Sequence, residues 1–205
     1  MMSAEQFTKL RKTNTVDFNQ PELICQLAST PSRLLCVHPD GAYKSRLVST
    51  FETLFSRGLH DLENQSIENP CKSKPYPVVR INFSEFADFT SAEDFSKMFY
   101  SKLLAAFSAQ GYQVPDTLEF PHLQLYVWMS QLDAGSLVVL IEEYDAPLAN
   151  CRDNPVLRKC VFRTLSEFFA VLKSCSGCLR FLFLTGCTQP FNAGFFEDLN
   201  YLTDI

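Results

Sequence analysis

Four short apolar runs do most to limit what this chain can fold into. They are Leu34–Val37 (LLCV), Val78–Phe83 (VVRINF), Leu137–Ile141 (LVVLI) and Leu179–Leu184 (LRFLFL). Each is short, nearly continuous and rich in branched or aromatic residues, which suits a strand covered on both faces. Between the runs the apolar spacing changes to the helical period. Leu47, Phe51, Leu54 and Phe55 form one stripe, with Gly58 placed as a C-cap; Phe95, Met98, Phe99, Leu103, Ala106 and Phe107 form another, ended by Gly111. Ser91, with Asp94 three residues on, reads as a variant capping pair for that second helix. His122–Leu132 reads as a helix entered through Pro121, and a longer one begins at Pro155 and carries Val161, Leu165, Phe168, Phe169 and Leu172. Residues 59–77, with three prolines and no period, read as a long surface connection. Strands alternating with helices in this way imply a parallel α/β sheet with right-handed crossovers.

The chain is long enough for one such domain, taken as residues 1–205, and 46% hydrophobic residues can fill its core. A net charge of −5 disfavours binding to a nucleic-acid backbone as the main task. No apolar stretch is long enough for a membrane span, and MMSAEQFTKLRKT has no apolar signal core, so the expected compartment is the cytoplasm. There the eight cysteines are expected to be reduced thiols. Cys36, Cys160 and Cys187 lie in or beside apolar runs and read as small hydrophobes. Cys175 and Cys178 have Cys-x-x-Cys spacing but precede a strand and have no second ligand pair. A turn with two incidental thiols outweighs a metal or redox site there.

In open α/β sheets ligands bind beyond the carboxyl ends of the strands. After LLCV comes His38-Pro39-Asp40-Gly41-Ala42-Tyr43-Lys44-Ser45, running into a helix. Strand, short loop, Lys-Ser and helix is the setting of a phosphate-binding loop. There amides cradle the phosphates, the lysine neutralises charge and the hydroxyl meets Mg²⁺. The glycines of Gly-x-x-x-x-Gly-Lys-Ser are missing: His38 and Tyr43 stand in their places. After LVVLI come Glu142 and Glu143, the shape of a Walker B strand end, in which one acid supports the metal and the next polarises water. After LRFLFL comes Thr185, placed to sense a terminal phosphate. A solvated helix start and a polar strand end are the bland readings of the first two features. Three strand ends with fitting chemistry, in the right chain order, weigh against coincidence.

At these residues the chain resembles the AAA-ATPase-like family, whose members often carry a PD-(D/E)xK nuclease-like domain after the ATPase-like part. Phe7–Arg11 with Val16-Asp17 resembles the family's N-terminal segment, His38–Ser45 its Arg-Pro-Arg-Arg-Phe-Gly-Lys-Ser loop, and Val78–Ser84 its second strand. Leu140–Leu148 resembles Leu-Ile-Asp-Glu-Tyr-Asp-x-Pro-Leu, Phe181–Gly186 the sensor strand, and Leu199–Ile205 the Leu-Asn-Asn-Leu-x-Asp-Ile that comes after it. The resemblance implies a three-layer P-loop NTPase-like fold, with helices on both faces of a parallel sheet ordered 5-1-4-3-2. It implies ATP and Mg²⁺ as ligands. Gly41, Ala42, Tyr43, Lys44 and Ser45 would meet the nucleotide, Ser45 and Glu142 the metal, and Glu143 and Thr185 would be catalytic.

The departures from the family pattern fall on the site itself. Tyr43 replaces the glycine before the lysine, where a side chain should crowd phosphate and strain the turn. His38, Asp40 and Gly41 stand where the family has arginines, Glu142 replaces an aspartate, and Gln189 stands where a basic residue is usual. No fifth apolar run comes after Leu184. The expectation is therefore an incomplete unit lacking the fifth strand and the lid, with an open sheet edge calling for a protein partner or a missing C-terminal domain. The function expected is a nucleotide-binding domain with degenerate Walker motifs and weak or no ATP hydrolysis. The alternative is a non-enzymatic pseudo-ATPase serving as an interaction or regulatory module.

Overall fold

A computed structural model of the chain describes residues 31–57, 74–86, 88–113, 119–188 and 201–205, together with residues 24 and 27–29 in helical conformation. Strand β1 (Ser32–Val37) leads into helix α1 (Gly41–Arg57), and β2 (Val78–Asn82) into a 3-10 turn (Phe83–Phe86) and helices α2 (Ala92–Ser108) and α3 (Pro121–Ser130). Then come β3 (Leu137–Glu142), the short α4 (Ala146–Ala149), α5 (Pro155–Ser174), β4 (Leu179–Gly186) and β5 (Thr203–Asp204). All strand pairs are parallel, in the order β2-β3-β4-β1-β5, which is the expected order read from the other edge.

The four apolar runs are the four long strands, and alternation along them separates two cores. Leu34, Cys36, Val138, Leu140, Phe181 and Phe183 face α1, meeting Leu47, Val48, Phe51, Leu54 and Phe55. Leu35, Val79, Ile81, Val139, Ile141, Leu182 and Leu184 face the other way, toward residues of α2, α3 and α5. Helices thus cover both faces, in three layers. The second core is a cluster of rings: Phe83 and Phe99 meet edge to face at 5.5 Å, and Phe99 and Phe168 at 5.8 Å. Burying one such ring contributes about 2 kcal/mol, and the edge-to-face geometry adds to that.

Local signals explain where the helices start and stop. Ser91 Oγ accepts the Asp94 amide at 3.1 Å. The Asp94 carboxylate reaches back to the Thr90 amide at 3.0 Å, one residue further than a capping box requires. Asn154 caps α5 by accepting the Leu157 amide at 3.0 Å, and Pro155 takes the first turn, where its missing N–H costs nothing. Gly111 lies just past α2 with φ 99°, the left-handed backbone for which glycine is suited.

One expectation is corrected. The fifth strand is present: Thr203 and Asp204 pair with Leu34 and Leu35, and the Ile205 amide donates to the Leu35 carbonyl at 2.9 Å. It was missed because only two residues pair, one of them exposed, so no apolar run marks it. The N-terminal segment 7–17, Gly58, most of the 59–77 connection, Cys25, Cys71, Gln189, Leu199 and Asn200 lie outside the described residues.

Candidate nucleotide site at the strand ends

The carboxyl ends of β1, β3 and β4 are adjacent in the sheet, so the residues just past these strands share one edge. There α1 begins at Gly41, three residues before Lys44. Gly41, Ala42 and Tyr43 therefore form its first helical turn. Asp40 caps that turn: its Oδ1 accepts the amides of Ala42 at 2.9 Å and Tyr43 at 3.2 Å. Its own amide donates to His38 Nδ1 at 3.0 Å. The Tyr43 ring packs against His38 in a tilted pair, with ring centroids 4.6 Å apart. The strain expected at Tyr43 does not occur: among the described non-glycine residues, positive φ falls at Phe120 and Glu143. An ordinary helical turn accommodates the tyrosine backbone.

Lys44 is 1% exposed, although it sits in the first turns of its helix. Its Nζ lies 2.8 Å from Glu143 Oε1 and donates to Cys187 Sγ at 2.9 Å. Burial pulls the ammonium pKa down, but hydrogen bonds to Cys187 and Glu143 and the charge of Glu143 outweigh it, so the lysine stays charged above its usual range. Ser45 donates to Glu142 Oε2 at 2.9 Å. Glu142 Oε1 is held by Arg80, at 2.8 Å from Nε and 2.7 Å from Nη2. Arg80 Nη1 reaches Glu52 at 2.6 Å. Burial works against the guanidinium charge, yet both glutamates hold its pKa above the usual value.

Glu143 has φ 52°, a left-handed backbone that costs a non-glycine residue about 1 kcal/mol or more. Its amide points at Thr185 Oγ1, 3.4 Å away, and Thr185 is wholly buried. The next amide, of Tyr144, donates to the Thr185 carbonyl at 2.9 Å, and the Tyr144 hydroxyl donates to the Thr188 carbonyl. Asp145 accepts the Cys187 amide at 3.1 and 3.2 Å. Gly186 is required beside them, since a Cβ there would lie 2.4 Å from Tyr144 Cε1. A depression of about 490 Å³ along the flank of α1, lined by Ser45, Arg46, Ser49, Thr50 and Thr53, adjoins the site through Ser45.

The structure thus brings together Lys44, Ser45, Glu142, Glu143 and Thr185, with Gly41, Ala42 and Tyr43 beside them. Sequence reasoning missed Arg80 and Glu52. The available signal for Arg80 was a charge inside the apolar run VVRINF; Glu52 lies off the apolar stripe of the first expected helix and carried no such signal. It also misplaced two thiols: Cys160 and Cys187 are exposed, whereas Cys36 is buried as expected. Cys160 falls on the outer side of α5, and Cys187 lies beyond the end of β4, past the apolar run rather than within it. Cys175 and Cys178 are buried at the junction of α5 and β4. Among the described residues no group of three or more His, Cys, Asp or Glu could hold a metal, and no helix is long and apolar enough to cross a membrane.

A five-stranded parallel sheet in this order, covered on both faces, with Lys-Ser opening the first helix and paired acids ending the strand two places away, defines a P-loop NTPase-like α/β protein. Residues 2–196 match the AAA-ATPase-like family model, described as a predicted AAA-ATPase, and the chain belongs to that family. No curated protein and no solved structure matches the chain.

Proposed function

We propose that this is a nucleotide-binding domain with degenerate Walker motifs, taking ATP with Mg²⁺ weakly and hydrolysing it slowly or not at all. The observation that carries this reading is the pair of contacts Lys44–Glu143 and Ser45–Glu142, at 2.8 and 2.9 Å, linking the helix after β1 to the end of β3. These are the side chains a P-loop site needs, held at one edge of the sheet. Lys44 would neutralise phosphate charge, and the amides of Gly41, Ala42 and Tyr43 would face the phosphates.

The residues fit a divalent cation through Ser45. By donating its proton to Glu142, the exposed Ser45 hydroxyl keeps its oxygen lone pairs outward. Glu142 then orients Ser45 from behind, because both its oxygens are already engaged. When bound, the cation would supply charge neutralisation for the phosphates.

Weak turnover is consistent with the same contacts. The Asp40 carboxylate occupies two amides that a phosphate would use. Glu143, the residue for polarising water, is tied to Lys44. Thr185 is buried, so it would act as a positioning residue through the Glu143 amide. The same facts favour the second reading, a pseudo-ATPase that works in the cytoplasm through a protein partner. Calorimetric titration of ATP–Mg²⁺ into the wild type and Lys44→Ala separates the two. Saturable binding lost in Lys44→Ala supports the nucleotide reading. Absent or millimolar binding that the substitution leaves unchanged overturns it in favour of the second.

A further inference from the structure

Arg80 interrupts an apolar run, and β2 can carry it because this strand is the outer one of the sheet among the described residues. Arg80 pairs with Leu140 and Asn82 with Glu142, so alternation puts Arg80 and Glu142 on the same face, the one that Leu140 turns toward α1. Two carboxylates converge on the guanidinium there. Glu142 Oε1 lies 2.8 Å from Nε and 2.7 Å from Nη2, and Glu52 Oε2 lies 2.6 Å from Nη1. Ser49 Oγ accepts from Nη1 at 3.4 Å, and Ser45 holds the other oxygen of Glu142 at 2.9 Å. Two glutamates and two hydroxyls, drawn from α1 and the end of β3, thus gather around one cation. Carboxylate and hydroxyl oxygens are what a hard divalent cation takes. They stand at the strand end where the first acid of a Walker pair supports the metal. In this chain the occupant is a covalently tethered guanidinium, which stays charged at every accessible pH.

We propose that Arg80 is a specificity-determining residue, a built-in cation that stands in for a divalent metal at the end of β3 and keeps metal off Glu142. Glu142 is buried, and both its oxygens are engaged by Arg80 and Ser45. A metal approaching it would have to break the charge-assisted bonds of the guanidinium and lie beside its positive charge. The half-exposed Glu52 is drawn to the same guanidinium and holds it from the α1 side, so the arginine is fixed at both ends. The consequence for ligand rests on the nucleotide reading above. A cation arriving with a phosphate tail would find the Ser45 hydroxyl but no carboxylate behind it, and would add little to the grip of Lys44 on the phosphates.

The test is titration of the full chain with Mn²⁺ alone, the free ion being read by electron paramagnetic resonance. Wild type is expected to show only the weak background of surface carboxylates. Arg80→Ala opens the space between Glu142 and Glu52 and should gain one Mn²⁺ site about tenfold tighter than that background. Arg80→Gln keeps an amide donor for the buried carboxylate, which guards against a folding defect in the alanine variant, and should gain the site as well. Adding Glu142→Gln to Arg80→Gln should return the titration to the wild-type curve. A tight Mn²⁺ site in the wild type that Glu142→Gln removes would overturn the proposal. So would Arg80→Gln without any gain, or a gain that survives Glu142→Gln. The titration needs no nucleotide, so its failure leaves the nucleotide reading standing, and failure of ATP to bind leaves the metal result to be judged alone.

Discussion

Lys44 Nζ meets Glu143 Oε1 at 2.8 Å, joining the first turns of α1 to the residue just past β3. The two partners differ in exposure: the Lys44 side chain is 1% exposed and that of Glu143 23%. Removing either charge therefore has unequal consequences. Glu143→Gln leaves a buried ammonium without its counter-charge, and the expected cost is about 2–3 kcal/mol. Lys44→Met leaves a carboxylate that water can reach, and costs about 1 kcal/mol. Urea unfolding of both single variants and the double variant measures the order and the coupling.

Arg80 is the counter-ion of buried Glu142. Arg80→Met leaves that carboxylate with the Ser45 hydroxyl as its hydrogen-bond donor and should cost about 3 kcal/mol. Adding Glu142→Gln removes the stranded charge. The double variant should then unfold at a higher urea concentration than Arg80→Met alone. A double variant no more stable than the single one would mean that the ion pair does not hold this strand end.

Gly186 sits where a Cβ would lie 2.4 Å from Tyr144 Cε1 and 2.9 Å from Asp145 Oδ1. Tyr144 is itself buried and tied to Thr188, so the ring has little room to yield. Gly186→Ala should lower stability by about 1–3 kcal/mol, read as a fall in thermal midpoint. Because Asp145 holds the Cys187 amide, the same substitution should also disturb the Cys187 environment.

Cys36 gives a dependence on alkaline pH. Burial first, and the charge of Asp204 second, push its thiol up to about 11 from an ordinary 9.0, against a smaller opposing effect of Lys44. The unfolded chain loses this proton first. The stabilisation from the neutral thiol is therefore complete below pH 9 and is lost as pH rises toward and through 11. A shift of this size corresponds to about 2–3 kcal/mol. The stability difference between wild type and Cys36→Ala should be constant from pH 6 to 8, shown by urea midpoints, and should shrink by that amount at about pH 11.

The sheet was legible because the central strands β3 and β4 are buried on both faces and need continuous apolar runs, as in Val138–Ile141 and Phe181–Leu184, and because β1 and β2 keep enough buried apolar residues to read as runs beside them. β5 was not, since a two-residue edge pairing leaves no pattern. Lys44, Ser45, Glu142 and Glu143 were legible because chemistry at strand ends shows in chain order. Their partners were hidden because the contacts join distant parts of the chain: Arg80 to Glu142, and Cys187 to Lys44. The role of Asp40 was half legible. Its negative charge was visible, but its capping of Ala42 and Tyr43 depends on α1 starting at Gly41, a boundary the apolar stripe beginning at Leu47 could not set.

Asp40 provides the most direct test that internal groups compete with phosphate at this site. Its carboxylate stabilises α1 as a cap, so Asp40→Ala should cost about 1 kcal/mol of stability. It also frees two amides and removes a negative charge, so ATP–Mg²⁺ should bind about tenfold more tightly to the variant. The measurement is the ATP–Mg²⁺ dissociation constant of Asp40→Ala against wild type by calorimetry at one salt concentration. Tighter binding in the less stable protein is the predicted result, and binding that is unchanged, weaker or absent in both proteins would contradict it.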